Sequence, residues 1–277
     1  MNALDPLSLF RVDGRVAVVT GAADGLGLAI AIGLARAGAD VIGADVNESM
    51  LADAMAQVAT TGQRTLAVVC DVGSDEDVQH LFEQVESEFG GVDILINNAG
   101  INVVSEAAEL YPTEGWERTL RVNLNGPFFC ARAAGRSMIA RGRGGSIVNI
   151  SSISGSSAQN RGLLAFGASK AGLNQLTKDL AVEWAPHRVR VNAIQPCQFR
   201  TRGWANTIDN PAHADLVATV LHGIPMGRMG EPPEMVGPVL FLASDAASMV
   251  TGVVLPVDGG NLAMNAGAGG AWPTRSR

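Results

Sequence analysis

The residues best placed to do chemistry lie between Ser151 and Lys170. An apolar run, Ile147-Val148-Asn149-Ile150, ends in Ser151-Ser152, and after a small-residue loop Ala165-Phe166-Gly167-Ala168-Ser169-Lys170 opens a helical pattern. Residues four apart share a helix face, so Phe166 and Lys170 stack one turn from each other. A lysine there could hold a positive charge over a pocket whose other wall carries the serines. For that charge to serve acid–base chemistry, position 166 should bear a group that moves a proton. Phenylalanine cannot.

The elements that must position these residues alternate regularly. Short apolar runs predict strands at Val16–Thr20, Val41–Asp45, Thr65–Cys70, Val92–Ile96, Ser146–Ile150, Val189–Ile194 and Gly252–Val257. Helical spacing covers Leu26–Ala37, about Glu48–Thr60, Asp75–Phe89, one long region from about Thr113 to Arg141, and Phe166–Trp184. Continuously apolar strands alternating with helices predict an α/β fold: a Rossmann-like, doubly wound, seven-stranded parallel sheet with helices on both faces. Ligands of such a sheet bind at the carboxyl ends of its strands. Gln195 to Arg228 is a long mixed connection, read as a lid over the site. The predicted organisation is a lead at 1–13, one domain at 14–260 and a Gly/Ala-rich tail at 261–277, either disordered or docked on a neighbouring subunit.

Composition narrows the classes. With 277 residues, 47% apolar and 17% charged, the chain has ample material for one large buried core. A net charge of -7 speaks against nucleic acid or an anionic membrane as main partner. No apolar run reaches the roughly 18 to 20 residues of a membrane helix, and Met1 to Arg11 does not read as a signal peptide. Cys70, Cys130 and Cys197 are odd in number and far apart, which fits reduced cytoplasm and argues against a disulfide framework or metal cluster.

A cofactor site is written between the first predicted strand and helix. Thr20-Gly21-Ala22-Ala23-Asp24-Gly25-Leu26-Gly27 supplies a tight turn and close backbone approach to a pyrophosphate at a helix N-terminus. An ordinary strand-to-helix turn would carry similar glycines. Asp45, however, ends the second strand eighteen positions after Gly27, where a carboxylate can accept hydrogen bonds from a ribose and repel a 2′-phosphate. Asp24 adds a second negative charge, and no arginine is placed to offset the pair. The expected cofactor is therefore NAD.

The spacing Thr-Gly-x-x-x-Gly-x-Gly, with Asn97-Asn98-Ala99-Gly100 after the fourth strand, resembles the short-chain dehydrogenase/reductase family. The resemblance runs from about Gly14 to Gly260 and includes Asp71-Val72, Asn123, the Ser152 loop, Lys170, Pro196 with Thr201, and Val257-Asp258-Gly259-Gly260. It implies that Gly21, Gly25, Leu26 and Gly27 line the pyrophosphate and Asp45 the adenosine ribose. Asp71 and Val72 would flank the adenine, Asn97 and Gly100 would stabilise the strand end beside the cofactor, and Asn98, Ala99 and Gly100 would border it. Thr201, following Pro196, would sit near the nicotinamide carboxamide, and Lys170 would bond its ribose. The implied reaction is hydride transfer between nicotinamide and a secondary alcohol or ketone, in a cytoplasmic homotetramer or homodimer built through the two long helices and the last strand.

In the resembled family Asn, Ser, Tyr and Lys act together, the Tyr four residues before the Lys exchanging the proton. Asn123, Ser152 and Lys170 occupy their places, and Phe166 stands where the Tyr belongs. Three readings of Phe166 stay open: a deliberate Tyr-to-Phe exchange in an otherwise intact site, a natural chain with another proton donor or an imine substrate, and a dinucleotide-binding protein without turnover. Pro196-Cys197 departs from the family's Pro-Gly, so Cys197 would narrow the nicotinamide pocket or act as a local acid. The expected substrate wall comprises Ser154 to Leu164, Ile101 to Val103 and the lid, with Ser154, Gln159, Asn160, Arg161, Gln198, Arg200 and Arg202 lending polar and positive character. That suits a polyol, sugar or sugar acid, an arginine meeting a carboxylate; solvated arginines would look the same.

Overall fold

The computed structural model describes residues 5–105, 107–159 and 161–264. Seven parallel strands, β1 (Val16–Thr20), β2 (Asp40–Asp45), β3 (Thr65–Val69), β4 (Ile94–Asn97), β5 (Gly145–Ile150), β6 (Val189–Pro196) and β7 (Val254–Val257), form one sheet in the order β3-β2-β1-β4-β5-β6-β7. The order reverses between β1 and β4, which opens a crevice at their carboxyl ends. All five residues of β1 are buried, as expected for a strand covered on both faces.

One face carries α1 (Gly25–Arg36), α2 (Glu48–Ala59) and α9 (Val236–Ala243), through a core that includes Ile30, Leu34, Leu51, Ile96, Val148, Val239 and Leu242. The other carries α3 (Asp75–Phe89), α5 (Gly126–Arg141) and α6 (Leu164–Trp184), around Val18, Leu81, Leu95, Cys130, Met138, Ile147 and Val191. Capping follows sequence: Asp24, Asn47 and Ser74 each accept a backbone N–H at the start of α1, α2 and α3.

Three expectations need correction. The region from Thr113 to Arg141 is two helices, α4 (Thr113–Leu120) and α5, joined by a π-turn over Arg121–Asn125. The extra residue in that turn rotates Asn123 into the protein, where it is buried. The lid folds two further helices, α7 (Arg202–Ile208) and α8 (Ala214–His222), while Gln195 and Pro196 belong to β6. Helix α9 was not predicted. Its sequence, Val-Gly-Pro-Val-Leu-Phe-Leu-Ala, has no polar face and therefore no helical period to read.

Candidate active site

The crevice is built from four strand ends. A cavity of about 200 Å³ is lined by Gly21 after β1, Asp45 at the end of β2, Cys70, Asp71 and Val72 after β3, and Ala99, Gly100 and Ile101 after β4. Its floor is clamped by Thr20 and Asn98. The Asn98 side-chain amide donates to the carbonyls of Thr20 and Gly21, both at 3.0 Å, and the backbone N–H groups of Asn98 and Ala99 donate to the Thr20 hydroxyl. A Cβ on Gly27 would collide with the Gly21 carbonyl and the Asn98 amide, so glycine is required for the first turn of α1 to approach this closely. Gly25 is left-handed, φ +56°, and opposes the methyl group of Thr201. Leu26 packs against the core. The residues present thus fit an extended dinucleotide: a bare cradle at a helix N-terminus, with a carboxylate at the ribose end.

Both Asp45 oxygens are held by backbone donors, from Ala23 at 3.2 Å and Asn47 at 3.0 Å. Asp71 accepts from Gly73 and from the Arg121 guanidinium, at 2.9 Å each. One sequence expectation changes here. Asp24 caps α1 and lines a groove with Thr201, Arg202 and Arg36. Arg118 and Arg121 do line the Asp45 cavity. They arrive from α4 and the π-turn, over seventy residues along the chain, which is why a search of neighbouring sequence missed them. Asn97 stabilises the strand end, as expected. Its amide donates to Asn149 at 2.9 Å, and Asn149 donates to Thr177, a buried tie between β4, β5 and α6.

At the carboxyl end of β5 Lys170 and Asn123 meet beside Gly100. Lys170 is buried, and its Nζ donates to the Ile150 carbonyl at 2.8 Å while lying 5.6 Å from the centre of the Phe166 ring. Burial pushes the Lys170 ammonium down from its ordinary value to about 8. Asn123 exchanges hydrogen bonds with the backbone of Ile101, at 2.8 Å in each direction, and donates to the Ser169 hydroxyl at 3.3 Å. Lys170 Nζ and Asn123 Oδ1 both border Gly100, 3.7 and 3.4 Å from where its Cβ would stand. Ser152 accepts the Ser154 N–H at 3.1 Å, and the two hydroxyls are 3.3 Å apart.

Sequence reasoning passed over the residues that brace this loop. Gln195 is buried and donates to the Ser152 carbonyl at 3.0 Å and the Ser156 hydroxyl at 2.8 Å. Ser151 donates to Asn174 at 2.6 Å, and Asn174 donates to the Gly155 carbonyl. Asn174 is one turn beyond Lys170, so helix spacing could have found it; nothing in sequence marked Gln195.

Ser154, Gln159 and Arg161 share a cavity of about 660 Å³ with Ser156, Ser157 and Tyr111. Gln159 donates to Ser154 at 2.8 Å, and Gln198 donates to Gln159 at 3.5 Å. Tyr111, the one tyrosine of the sequence, reaches this wall and donates to the Val103 carbonyl at 2.8 Å. Cys197 does not. It lines a separate cavity beside Asp258, and burial, then that carboxylate, pushes its thiol up to about 11. Arg200 and Arg202 also lie elsewhere, in grooves with Thr201, Asp209 and Glu231. Asn160 and residues 265–277 lie outside the described residues. Among the described residues no cluster of three or more His, Cys, Asp or Glu could hold a metal, and no helix is long and apolar enough to cross a membrane.

A family profile described as Enoyl-(Acyl carrier protein) reductase matches residues 21–261. The chain is 38% identical over 257 residues to 2-dehydro-3-deoxy-D-gluconate 5-dehydrogenase of Escherichia coli K12, covering 93% of this chain and 99% of that one. It is 39% identical over 255 residues to NAD-dependent glycerol dehydrogenase of Listeria innocua, covering 91% and 95%. The crystal structure of a gluconate 5-dehydrogenase from Burkholderia cenocepacia in complex with NADP and tartrate superposes with a TM-score of 0.87 at 35% identity, covering 94% of this chain and all of the other. The chain therefore belongs to the short-chain dehydrogenase/reductase family and is an oxidoreductase acting on CH–OH groups.

Proposed function

We infer that this chain is an NAD-dependent oxidoreductase that moves hydride between nicotinamide and a secondary alcohol or ketone of a polyol, sugar or sugar acid. The observation that carries the reading is the meeting of Asn123 and Lys170 at Gly100, on the edge of the crevice, with Lys170 bound to the Ile150 carbonyl two residues before Ser152. Beside it lies a cavity rich in hydroxyls, with Gln159 and Arg161 on its wall. The relatives named above act on a sugar acid and a polyol, in keeping with that wall.

Each residue has a task in this reading. The glycine cradle and Asp45 bind the dinucleotide, Asp45 favouring NAD because a 2′-phosphate would meet its charge at close range. Asp71 and Val72 flank the adenine, and Ala99 and Gly100 border the cofactor. Thr201, after Pro196, stands at the mouth of α1. Bound nicotinamide supplies the hydride acceptor or donor. Ser152 hydrogen-bonds the reacting oxygen and Lys170 places its amino group behind it. Ser154, Gln159 and Arg161 meet the substrate's other polar groups, a carboxylate pairing with Arg161. Exposed Leu164, Ala168, Ala171 and Val182 run along one face of α6, and this face supports a homotetramer or homodimer.

Phe166 weakens turnover without touching the cradle. Removing a general acid–base group costs on the order of 10² to 10⁴ in rate. Phe166→Tyr is therefore expected to raise NAD reduction on a polyol and sugar-acid panel by about that factor, with NADH affinity by fluorescence titration unchanged. No gain on any substrate would sink this account.

A further inference from the structure

An alcohol carbon that gives up hydride also loses its hydroxyl proton, and a nearby side chain has to take it. Few groups at the carboxyl end of β5 can do so. Phe166 carries no exchangeable proton, and Cys197 lines a different cavity. Tyr111, the single phenol of the chain, is tied to the Val103 carbonyl. Lys170 remains. Its Nζ shares the border of Gly100 with Asn123, Gly100 itself lines the crevice, and the one carbonyl it contacts belongs to Ile150, two residues before Ser152.

We propose that Lys170 is itself the catalytic acid–base group of this chain. In oxidation its neutral amine takes the substrate hydroxyl proton, directly or over one water, while the hydride leaves the same carbon for the nicotinamide. The O–H and C–H bonds break, the C=O and N–H bonds form, and the two electrons lost by the alcohol reduce the dinucleotide. In reduction the ammonium returns the proton. The proposal rests on the oxidoreductase reading above.

Burial sets the amine near the working range, at about 8, and desolvation is the sole cause. Ionisable side chains on the elements packed against α6 are engaged elsewhere or exposed. Arg121 pairs with Asp71, Arg132 with Asp75 and Arg141 with Asp93. Arg190 donates to the carbonyls of Leu242 and Ser244. Glu114, Glu117, Arg118, Arg136 and His187 are exposed, as are Lys178, Asp179 and Glu183 on α6 itself. The sign follows: oxidation rises with pH through about 8 as the amine loses its proton, and reduction falls.

The chain contains only two lysines, Lys170 and Lys178, so side-chain ¹⁵N labelling of lysine yields two signals, assigned with Lys178→Arg. The Lys170 signal is expected to titrate near pH 8 in the ligand-free protein. Single-turnover NAD reduction at saturating cofactor should follow the same curve. Lys170→Arg keeps the charge but cannot shed its proton, and should slow hydride transfer by about 100-fold or more. Phe166→Tyr should uncouple the rate profile from the lysine titration, because the phenol takes over the proton.

Wild-type transfer that persists in Lys170→Arg, fails to track the Lys170 titration, or is lost instead in Tyr111→Phe overturns the lysine role alone. Transfer absent from the wild type but present in Phe166→Tyr does the same and leaves the oxidoreductase reading standing. Absence from both, with NADH bound, overturns both.

Discussion

Asp45 is held by the N–H groups of Ala23 and Asn47, so its carboxylate faces the crevice in one fixed position. Such a fixed charge discriminates well, because it cannot swing away from a 2′-phosphate. The same cavity has Arg118 and Arg121 on its wall, Arg121 already paired with Asp71. Discrimination should therefore rest on one residue. Asp45→Ser is expected to move the ratio of NAD to NADP affinity by at least tenfold toward NADP, with Arg118 available to the phosphate; titration with both reduced cofactors measures it. An unchanged ratio would place the discrimination elsewhere. In the proposed reaction Phe166 is the other decisive residue, because a phenyl ring carries no proton to exchange.

At the scale of elements, the sheet separates chemistry from stability. The dinucleotide cradle, Asn123 and Lys170 gather at the carboxyl ends of the strands, whereas the most deeply set ion pair among the described residues lies at the opposite end. Asp93, buried just before β4, accepts the Val16 N–H at 2.9 Å and pairs with Arg141 of α5. Breaking a buried pair from one side leaves the other charge without compensation and costs about 3–5 kcal/mol. Asp93→Ala should lower the denaturant midpoint by a corresponding amount while leaving cofactor affinity of the folded fraction intact. Lost affinity with unchanged stability would contradict this separation. The π-turn illustrates the reverse case, a local irregularity in service of the site. Without its extra residue Asn123 would point elsewhere, and the Ile101 backbone that borders the crevice would lose both of its hydrogen bonds to that side chain.

For the whole molecule, the exposed face of α6 bears Leu164, Ala168 and Ala171 on its first two turns, and these residues also line the substrate-side cavity. A partner packed there would close one side of that cavity, linking assembly to substrate binding. Ala171→Arg places a long charged side chain on this face. It is expected to reduce the mass found by light scattering to that of a smaller assembly, with the fold retained by circular dichroism. A parent protein that is already monomeric would remove the oligomer from the proposed function.

Much of this was written in local sequence. Strand and helix positions followed from apolar periodicity, the glycine turn and Asp45 from their spacing, and the Ser152–Lys170 stretch from a run that ends in serines and a helix that follows. These are local signals, decided by the pleat, the helical repeat and the freedom of glycine. Long-range contacts decided the rest. Arg118 and Arg121 joined the cofactor cavity, Tyr111 joined the substrate wall, and Gln195 came to brace Ser152, because the fold brought distant segments to the same strand ends. Cys197 was drawn away from the role its neighbours suggested. The environment of Lys170 is of the same kind: sequence supplies the amine, but only burial by the surrounding strands and helices strips it of water and brings it into the range where it can exchange a proton.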